Sequence, residues 1–522
     1  MPGRPGQPWQ ALKAGTETMS EASGPSFEIA APPASSMIES LRGVGYSPET
    51  AIADLIDNSI SAHARNVWIT FWWEGRRSHI AVLDDGDGMT EDELSEAMRP
   101  GSMCPLDRRP TDDLGRFGLG LKTASFSQCR QLTVASLRNE QFSTRRWDLD
   151  HVAQVREWQL LKSPIAGSAE LLEPLLELGQ GTMVLWEELD RVVGNASISD
   201  SGSHDLFLRL IDRVESHLAM VFHRFLEGGP AGLSIFINGR GEDHRVKAWD
   251  PFMRDCRATR ATPEEPIPTP RGVVEVQGFV LPHKDHLKQR QFETGAGLEG
   301  WTAQQGFYVY RNRRMLVSGS WLGLGERRAW TREEPYKLAR LRLDIPNTAD
   351  ADWKIDIKKS VARPPSYIAS RLRDLAEQVR DQARQVFAHR GSYGSRIPTP
   401  DLQRAWRVVQ RKDSVAYLVD WNHPLVKQVL DQAGPLREVI AAMLRLLEET
   451  MPVQRVWIDA VEKGEIHRGA FEGTPSAEIQ AVLSVLYRHL VETVGLDRRS
   501  AQSQLLKTEP FHNHPDLIEA LE

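Results

Sequence analysis

A chain of 522 residues exceeds what one hydrophobic core organises, so roughly two to four domains are expected. Lysine and arginine (64) are outnumbered by aspartate and glutamate (71), a net charge of −7 that excludes a globally basic nucleic-acid binder while leaving room for local basic patches. Cys104, Cys129 and Cys256 lack paired spacing, which argues against a disulfide framework or a zinc site; with no apolar leader and no run as long as a membrane span, a cytoplasmic location is expected.

Residues 1–34 (PGRPGQP, SGPS, APPAS) can bury little apolar surface and are expected to form a disordered arm. A mixed α/β domain is expected over 35–195. Ser47-Pro48 offers an N-cap followed by proline at the first helical position, and the helix it opens runs to about Ala62. Val67–Trp73 and His79–Leu83 read as strands around a Glu-Gly-Arg-Arg turn, and Thr90 to Glu93 as a capping box. Leu132–Leu137 and Thr182–Trp186 are further strands.

A second α/β domain is expected over 196–362. It has a helix at about His204–Phe225 and strands at Leu233–Ile237, Val273–Leu281, Phe307–Tyr310, Leu341–Ile345 and Trp353–Ile357, with Thr262–Pro270 as a proline-rich loop. Residues 363–395 read as a long helix (Ser366–His389) and linker. Only helical signals, including Leu436–Thr450 and Ala477–Val494, mark 396–522.

Three short pieces of the first domain carry chemistry. Asp54 and Asn58, four residues apart, share one helical face; an amide oxygen suits Mg²⁺, and a carboxylate can orient or deprotonate water. Alone, the pair equally describes a solvated helix face. The turn Asp84-Asp85-Gly86-Asp87-Gly88 ends an apolar strand. Its glycines let backbone approach a flat ring, and a carboxylate there can accept from an adenine amino group. A tight turn explains it too, whereas a calcium loop fails on the positions of its glycines and of Glu96. The loop Gly115-Arg116-Phe117-Gly118-Leu119-Gly120 precedes a helical start, Leu121-Lys122-Thr123. Its amides suit an anion, but Leu121 puts it one residue out of P-loop register.

Together, in this order, the three pieces resemble the GHKL ATPase superfamily over about residues 37–190. The resemblance implies an α/β ATP-binding sandwich with ATP and Mg²⁺ as ligands. It assigns the general base to Asp54, the metal ligand to Asn58 and the adenine reader to Asp84. Gly86, Gly88 and Met89 fall in the adenine turn, Gly115, Gly118, Leu119, Gly120 and Lys122 in the phosphate segment, and Thr182 after Gly181 in a water-mediated adenine contact. Residues 89–114 would form a lid, with Gly101 and Ser102 as flexible points. The family's base is usually glutamate, so the shorter Asp54 implies slow turnover.

None of the 15 histidines has the context of a phosphoacceptor upstream of the pocket, which sets the histidine-kinase branch aside. Tyr308-Val309-Tyr310-Arg311-Asn312-Arg313-Arg314-Met315-Leu316 resembles the transducer strand of the gyrase and MutL branches. The segment Trp353 to Ser360 resembles the approach to their phosphate-sensing lysine, for which Lys358 and Lys359 are alternatives. AIADLIDNSISAHA, DDGDGM, GLGLKTAS and VYRNRRMLVSGSW are most similar to bacterial relatives of MORC and MutL. That resemblance implies a slowly hydrolysing ATPase working as a nucleotide-driven homodimeric clamp, on DNA or with a nuclease or helicase partner, in restriction-like phage defence. A non-hydrolysing nucleotide sensor and a chaperone-like protein clamp are the rivals. Arg371, Arg373, Arg380 and Arg384 interleave with Asp374, Glu377 and Asp381, the pattern of a paired solvent face, and Trp406 and Trp421 are expected in a core.

Overall fold

The computed structural model of the chain describes residues 28, 32–101, 120–229, 232–349, 352–356, 362–388, 403–411, 414–452, 477–508, 511 and 515–521. The chain divides into two compact units, Met1–Gly391 and Ser392–Glu522.

The first unit opens with α1 (Ala34–Arg42) and α2 (Pro48–Ser61). Ser47 is extended, and Pro48 takes the first helical position, where its missing N–H removes no helical bond. Ala51, Ile52, Ala53, Leu55 and Ile56 are all buried, so α2 is walled in on several sides. Burying Ile52, Leu55 and Ile56 is worth about 1.5–3 kcal/mol each.

Strands β1 (Asn66–Trp72), β2 (His79–Asp84), β3 (Gln131–Arg138), β4 (Gln141–Asp148), β5 (Gly181–Glu187) and β6 (Ser234–Ile237) form a sheet in the order β4-β3-β5-β2-β1-β6. β6 runs parallel to β1, and the other neighbours are antiparallel. Alternation along the strands sends Val67, Ile69, Val82, Val134 and Trp186 into one core with α2. Ala81, Leu83, Leu137, Met183 and Leu185 face the other side, under Leu172 and Leu175.

Short helices α3 (Glu91–Met98), α4 (Gly120–Phe126), α5 (Leu149–Val155) and α6 (Glu173–Leu178) fill the connections, and α3 carries the expected capping box of Thr90 and Glu93. α7 (Ser201–Val221) packs on α2 and ends before a separate short helix, α8 (His223–Leu226). Ser234–Ile237, expected to begin the second mixed segment, completes the first sheet instead. β4 was not anticipated, because Gln141 to Asp148 contains too many polar residues to alternate visibly.

The second sheet has the order β11-β10-β12-β9-β7, with β8 also on β9. Its strands are β7 (Arg260–Ala261), β8 (Glu265–Thr269), β9 (Gly272–Val280), β10 (Gly306–Arg311), β11 (Arg314–Ser320) and β12 (Ala339–Ile345), with α9 (Gln289–Ala296) between β9 and β10. α10 (Ser366–Ala388) buries Ile368, Leu372, Ala376, Val379 and Ala383, a helical stripe, in a core with Val276, Leu341 and Leu343.

Two expectations are corrected here. Part of the proline-rich loop is β8: Pro266 and Pro268 are accommodated because, among the described residues, β8 pairs only with β9, and a missing N–H on its outer edge breaks no ladder bond. Residues 352–356 are not a strand; Trp353 lies in a turn and is fully buried, so its apolarity reflects core burial. The basic face of α10 is largely paired. Arg371 forms two 2.7 Å bonds to Glu265, and Arg380 turns inward over Tyr336, Trp330 and Trp321.

The second unit, expected to be helical, opens with a hairpin of β13 (Trp406–Arg411) and β14 (Ser414–Val419), followed by helices that include Pro424–Gln432, Arg437–Glu449, Ala477–Arg488 and Arg498–Leu505. Trp406 and Val408 on one strand and Tyr417 on the other are exposed, so no buried face stamps a period-two pattern on the sequence. Trp406 and Trp421, expected in a core, are 39% and 36% exposed.

Candidate active site

Asp54, Asn58, Asp84, Gly86, Gly88, Met89, Gly120, Lys122 and Thr182 are among the described residues; Gly115, Gly118, Leu119, Lys358, Lys359 and the lid beyond Gly101 lie outside them. In α2 the run from Ala51 to Ser59 is buried except for Asn58. One exposed carboxamide in a buried run marks where the helix borders open space. Asp54, a turn earlier, is only 4% exposed, and its Oδ2 accepts a 2.8 Å bond from the Tyr46 hydroxyl. Burial, reinforced by the Asp54 charge, pushes the Tyr46 phenol far above its ordinary range and keeps it a donor. Gln128 anchors Tyr46 in turn, donating to its backbone carbonyl at 2.9 Å. A Cβ built on Gly120 would sit 3.6 Å from Asp54 Oδ2, so the start of α4 lies beside the carboxylate.

Asp84 closes the sheet side of the same region. Its Oδ2 accepts from Ser59 Oγ of α2 at 2.8 Å and its Oδ1 from the Gly86 amide at 3.0 Å. Burial pushes its pKa up to about 6, although these donors oppose the rise. Across the ladder Asp84 faces Thr182, whose Oγ1 lies 3.1 Å from Ser136 Oγ. Ser136 also donates to the Gly181 carbonyl and accepts from the Met89 amide, tying the turn after β2 to β3 and β5. These backbones approach too closely for side chains. Gly88 has φ +66° and Gly181 φ +132°, and Cβ atoms there would fall 2.4 Å from the Leu137 carbonyl oxygen and 1.9 Å from that of Asp84.

The other acids of the turn are engaged elsewhere. Asp85 accepts from the Arg65 and Asn66 amides and from Asn66 Nδ2, and Asp87 pairs with His63. Lys122 is 2% exposed and donates to the Ala97 carbonyl of α3 at 2.8 Å, with burial lowering its pKa to about 8. The structure thus places its ammonium on a helix within the expected lid segment.

Residue patterns had not singled out Tyr46, Ser59 or Ser136, nor the Asp57–Arg314 pair. Ser59 had the clearest available signal, an uncharged hydroxyl inside the acidic helix motif. Away from this region His223, Glu227 and Asp250 lie close enough together to hold an ion. Arg254 bonds both carboxylates, and His223 is engaged at both ring nitrogens, by Glu227 and the Tyr310 hydroxyl, so the cluster is satisfied as an ion-pair network.

A helix bearing Asp54 and Asn58, laid against a sheet whose central strand ends in a buried Asp84, defines an α/β nucleotide-binding sandwich. The family described as histidine kinase-, DNA gyrase B-, and HSP90-like ATPase matches residues 46–182, and this segment belongs to that GHKL family. ATPase morc-1 of Caenorhabditis elegans is 32% identical over 92 residues, 18% of this chain and 10% of that protein. DNA mismatch repair protein MutL of Clostridium beijerinckii is 29% identical over 94 residues, 18% of this chain and 14% of that protein. The chain therefore matches only a small part of the length of these curated relatives. No helix among the described residues is long and apolar enough to cross a membrane.

Proposed function

We propose that this chain binds ATP with Mg²⁺ and hydrolyses it slowly, with Asp54 as general base and Asp84 as adenine reader. The observation that carries the reading is Asp54 itself: a buried carboxylate held by Tyr46 and set beside Gly120, one helical turn from the exposed Asn58. The donor set there fits magnesium, since Asn58 offers a neutral hard oxygen and Mg²⁺ completes its shell with water and phosphate oxygens. Bound at Asn58, the ion would neutralise phosphate charge.

The protein's own residues supply the rest. Ionised Asp84 accepts from the adenine amino group. With one carboxylate oxygen bonded to Tyr46, Asp54 orients a water and takes its proton as the oxygen attacks the γ-phosphorus and ADP leaves. Amides of the loop 115–120 and Lys358 or Lys359 stabilise the charge on the transferring group.

Asp54→Ala is expected to bind Mg·ATP and lose turnover, whereas Asn58→Ala and Asp84→Ala lose binding. Wild-type turnover in all three would sink this site map. The match to a protein named for DNA mismatch repair supports a wider reading, a nucleotide-driven dimer acting on DNA or with a nuclease or helicase partner. ATP turnover measured with and without DNA, alongside oligomeric state, tests it; no response to DNA at low salt would turn the reading toward a protein clamp. The phage-defence setting rests on the resemblance of the motifs alone.

A further inference from the structure

Asp57 sits in α2 three positions after Asp54 and one before Asn58. At 100° per residue its side chain leaves the helix about 60° around from Asp54 and about 100° from Asn58. There it meets the second sheet: Arg314, the first residue of β11, donates from Nε to Asp57 Oδ1 at 2.9 Å across 257 residues of sequence. Both side chains are closed off, with 5% and 2% exposure. Arg314 is itself fixed, because Nη1 donates to the Met315 carbonyl and its guanidinium lies 4.6 Å from the centre of the Phe222 ring, just after α7. His217 on α7 is kept neutral, its pKa lowered to about 3 by burial and then by Arg314.

Stability alone does not account for such a pair. Removing two charges from water costs several kcal/mol per ion, and well-packed apolar residues of similar volume hold a fold equally well. Directional bonding does something apolar packing cannot. Apolar attraction is non-directional, whereas a guanidinium that must meet a buried carboxylate defines one rotation of α2 and one position of the strand. β11 is bonded to β10, with Arg311 opposite Arg314, and β10 runs beside β12, so Arg314 reports the position of the second sheet as a whole.

We propose that Arg314 is a positioning residue for ATP hydrolysis, acting through Asp57 to lock the rotation of α2, and with it Asn58 and Asp54, to the position of the second sheet. The proposal rests on the reading of α2 as the nucleotide helix. It places the link between the two sheets of the first unit beside the metal ligand, where a small rotation would move Asn58 and Asp54 together.

The test is the paired replacement Asp57→Leu with Arg314→Met, which removes both charges and leaves neither buried alone. With full-length protein, unfolding temperature, Mg·ATP affinity and the kcat and KM for ATP would be measured, with Arg314→Lys alongside. The paired variant is expected to fold and to bind Mg·ATP within about threefold of wild type, while kcat drops about tenfold or more. Arg314→Lys, which keeps the charge but loses the Nε donor, should retain a kcat between those two. Wild-type kcat in a folded paired variant would overturn the proposal. Failure of that variant to fold would also overturn it, since the pair would then be a stabilising contact. Wild-type protein that binds Mg·ATP without turnover would overturn it as well. Wild-type protein that does not bind Mg·ATP at all would instead refute the nucleotide reading of α2, and this inference with it.

Discussion

Replacing Tyr46 by phenylalanine probes the candidate base most cleanly, because it deletes one oxygen and keeps the ring. That oxygen donates to Asp54 Oδ2 at 2.8 Å in a site where both residues are buried. A hydrogen bond to a charged acceptor is worth about 1.5–3 kcal/mol, and its loss should lower stability by that order. If the bond holds the carboxylate in the orientation needed to take a proton from water, the same energy appears in the barrier. At 1.36 kcal/mol per decade, kcat falls roughly 10- to 150-fold. Tyr46 is not assigned to the nucleotide, so Mg·ATP affinity should change by less than about threefold. Phosphate release under saturating ATP, titration calorimetry with Mg·ATP and chemical denaturation measure the three quantities. A folded Tyr46→Phe protein with unaltered kcat would refute the reasoning, for Asp54 would then need no orienting partner or would not be the base.

The remaining predictions concern Asp84 and the strand facing it. With a pKa near 6, Asp84 is about nine-tenths protonated at pH 5 and is then only a weaker, neutral acceptor for the adenine amino group, so ATP affinity should weaken up to about tenfold between pH 7.5 and pH 5. For folding the sign is reversed: the pKa is raised above the ordinary 3.8, so the Asp84 contribution to stability is fully present below that value and is lost as pH rises through about 6. Pairwise comparison of dissociation constants at the two pH values, with Ser59→Ala shifting the midpoint upward, checks the assignment; a flat profile between pH 5 and 7.5 contradicts it. Gly181→Ala should cost about 1–3 kcal/mol through its backbone conformation alone, and more through collision with the Asp84 carbonyl, with ATP binding impaired as β2 and β5 are pushed apart. Denaturation midpoints would read the effect, and a change below about 0.5 kcal/mol would show that the two strands separate freely.

Much of the site could be read locally. Ser47-Pro48 defines the start of α2, Thr90 and Glu93 cap α3, and an apolar strand running into Asp84-Asp85-Gly86-Asp87-Gly88 announces a close backbone turn. These are short-range effects: proline fixes φ, a hydroxyl satisfies an open amide, and glycine removes a Cβ. The same local rules misled where tertiary pairing decides the outcome. Prolines at 266 and 268 signal a loop, yet an outer strand edge leaves their missing donors harmless. Trp353 looks like strand because it is apolar, yet its burial belongs to a turn. Ser234–Ile237 has strand character in either sheet, and only its parallel pairing with β1 assigns it to the first.

What the sequence determined by itself was the inventory of chemistry: a carboxylate and a carboxamide one turn apart on a helix, an aspartate at a strand end beside two glycines, and a glycine-rich segment before Lys122. What only the tertiary structure decided was how those groups are held. Tyr46 bonds Asp54, Ser59 of the same helix bonds Asp84, Ser136 ties the turn after β2 to β5, Lys122 is drawn to Ala97, and Arg314 reaches Asp57 from the other sheet. The reason is physical. Residue types and spacings fix what a side chain can donate, accept or ionise, whereas the partner it meets depends on which distant strands and helices close over it, and on the burial that makes an unpaired polar group too costly to leave.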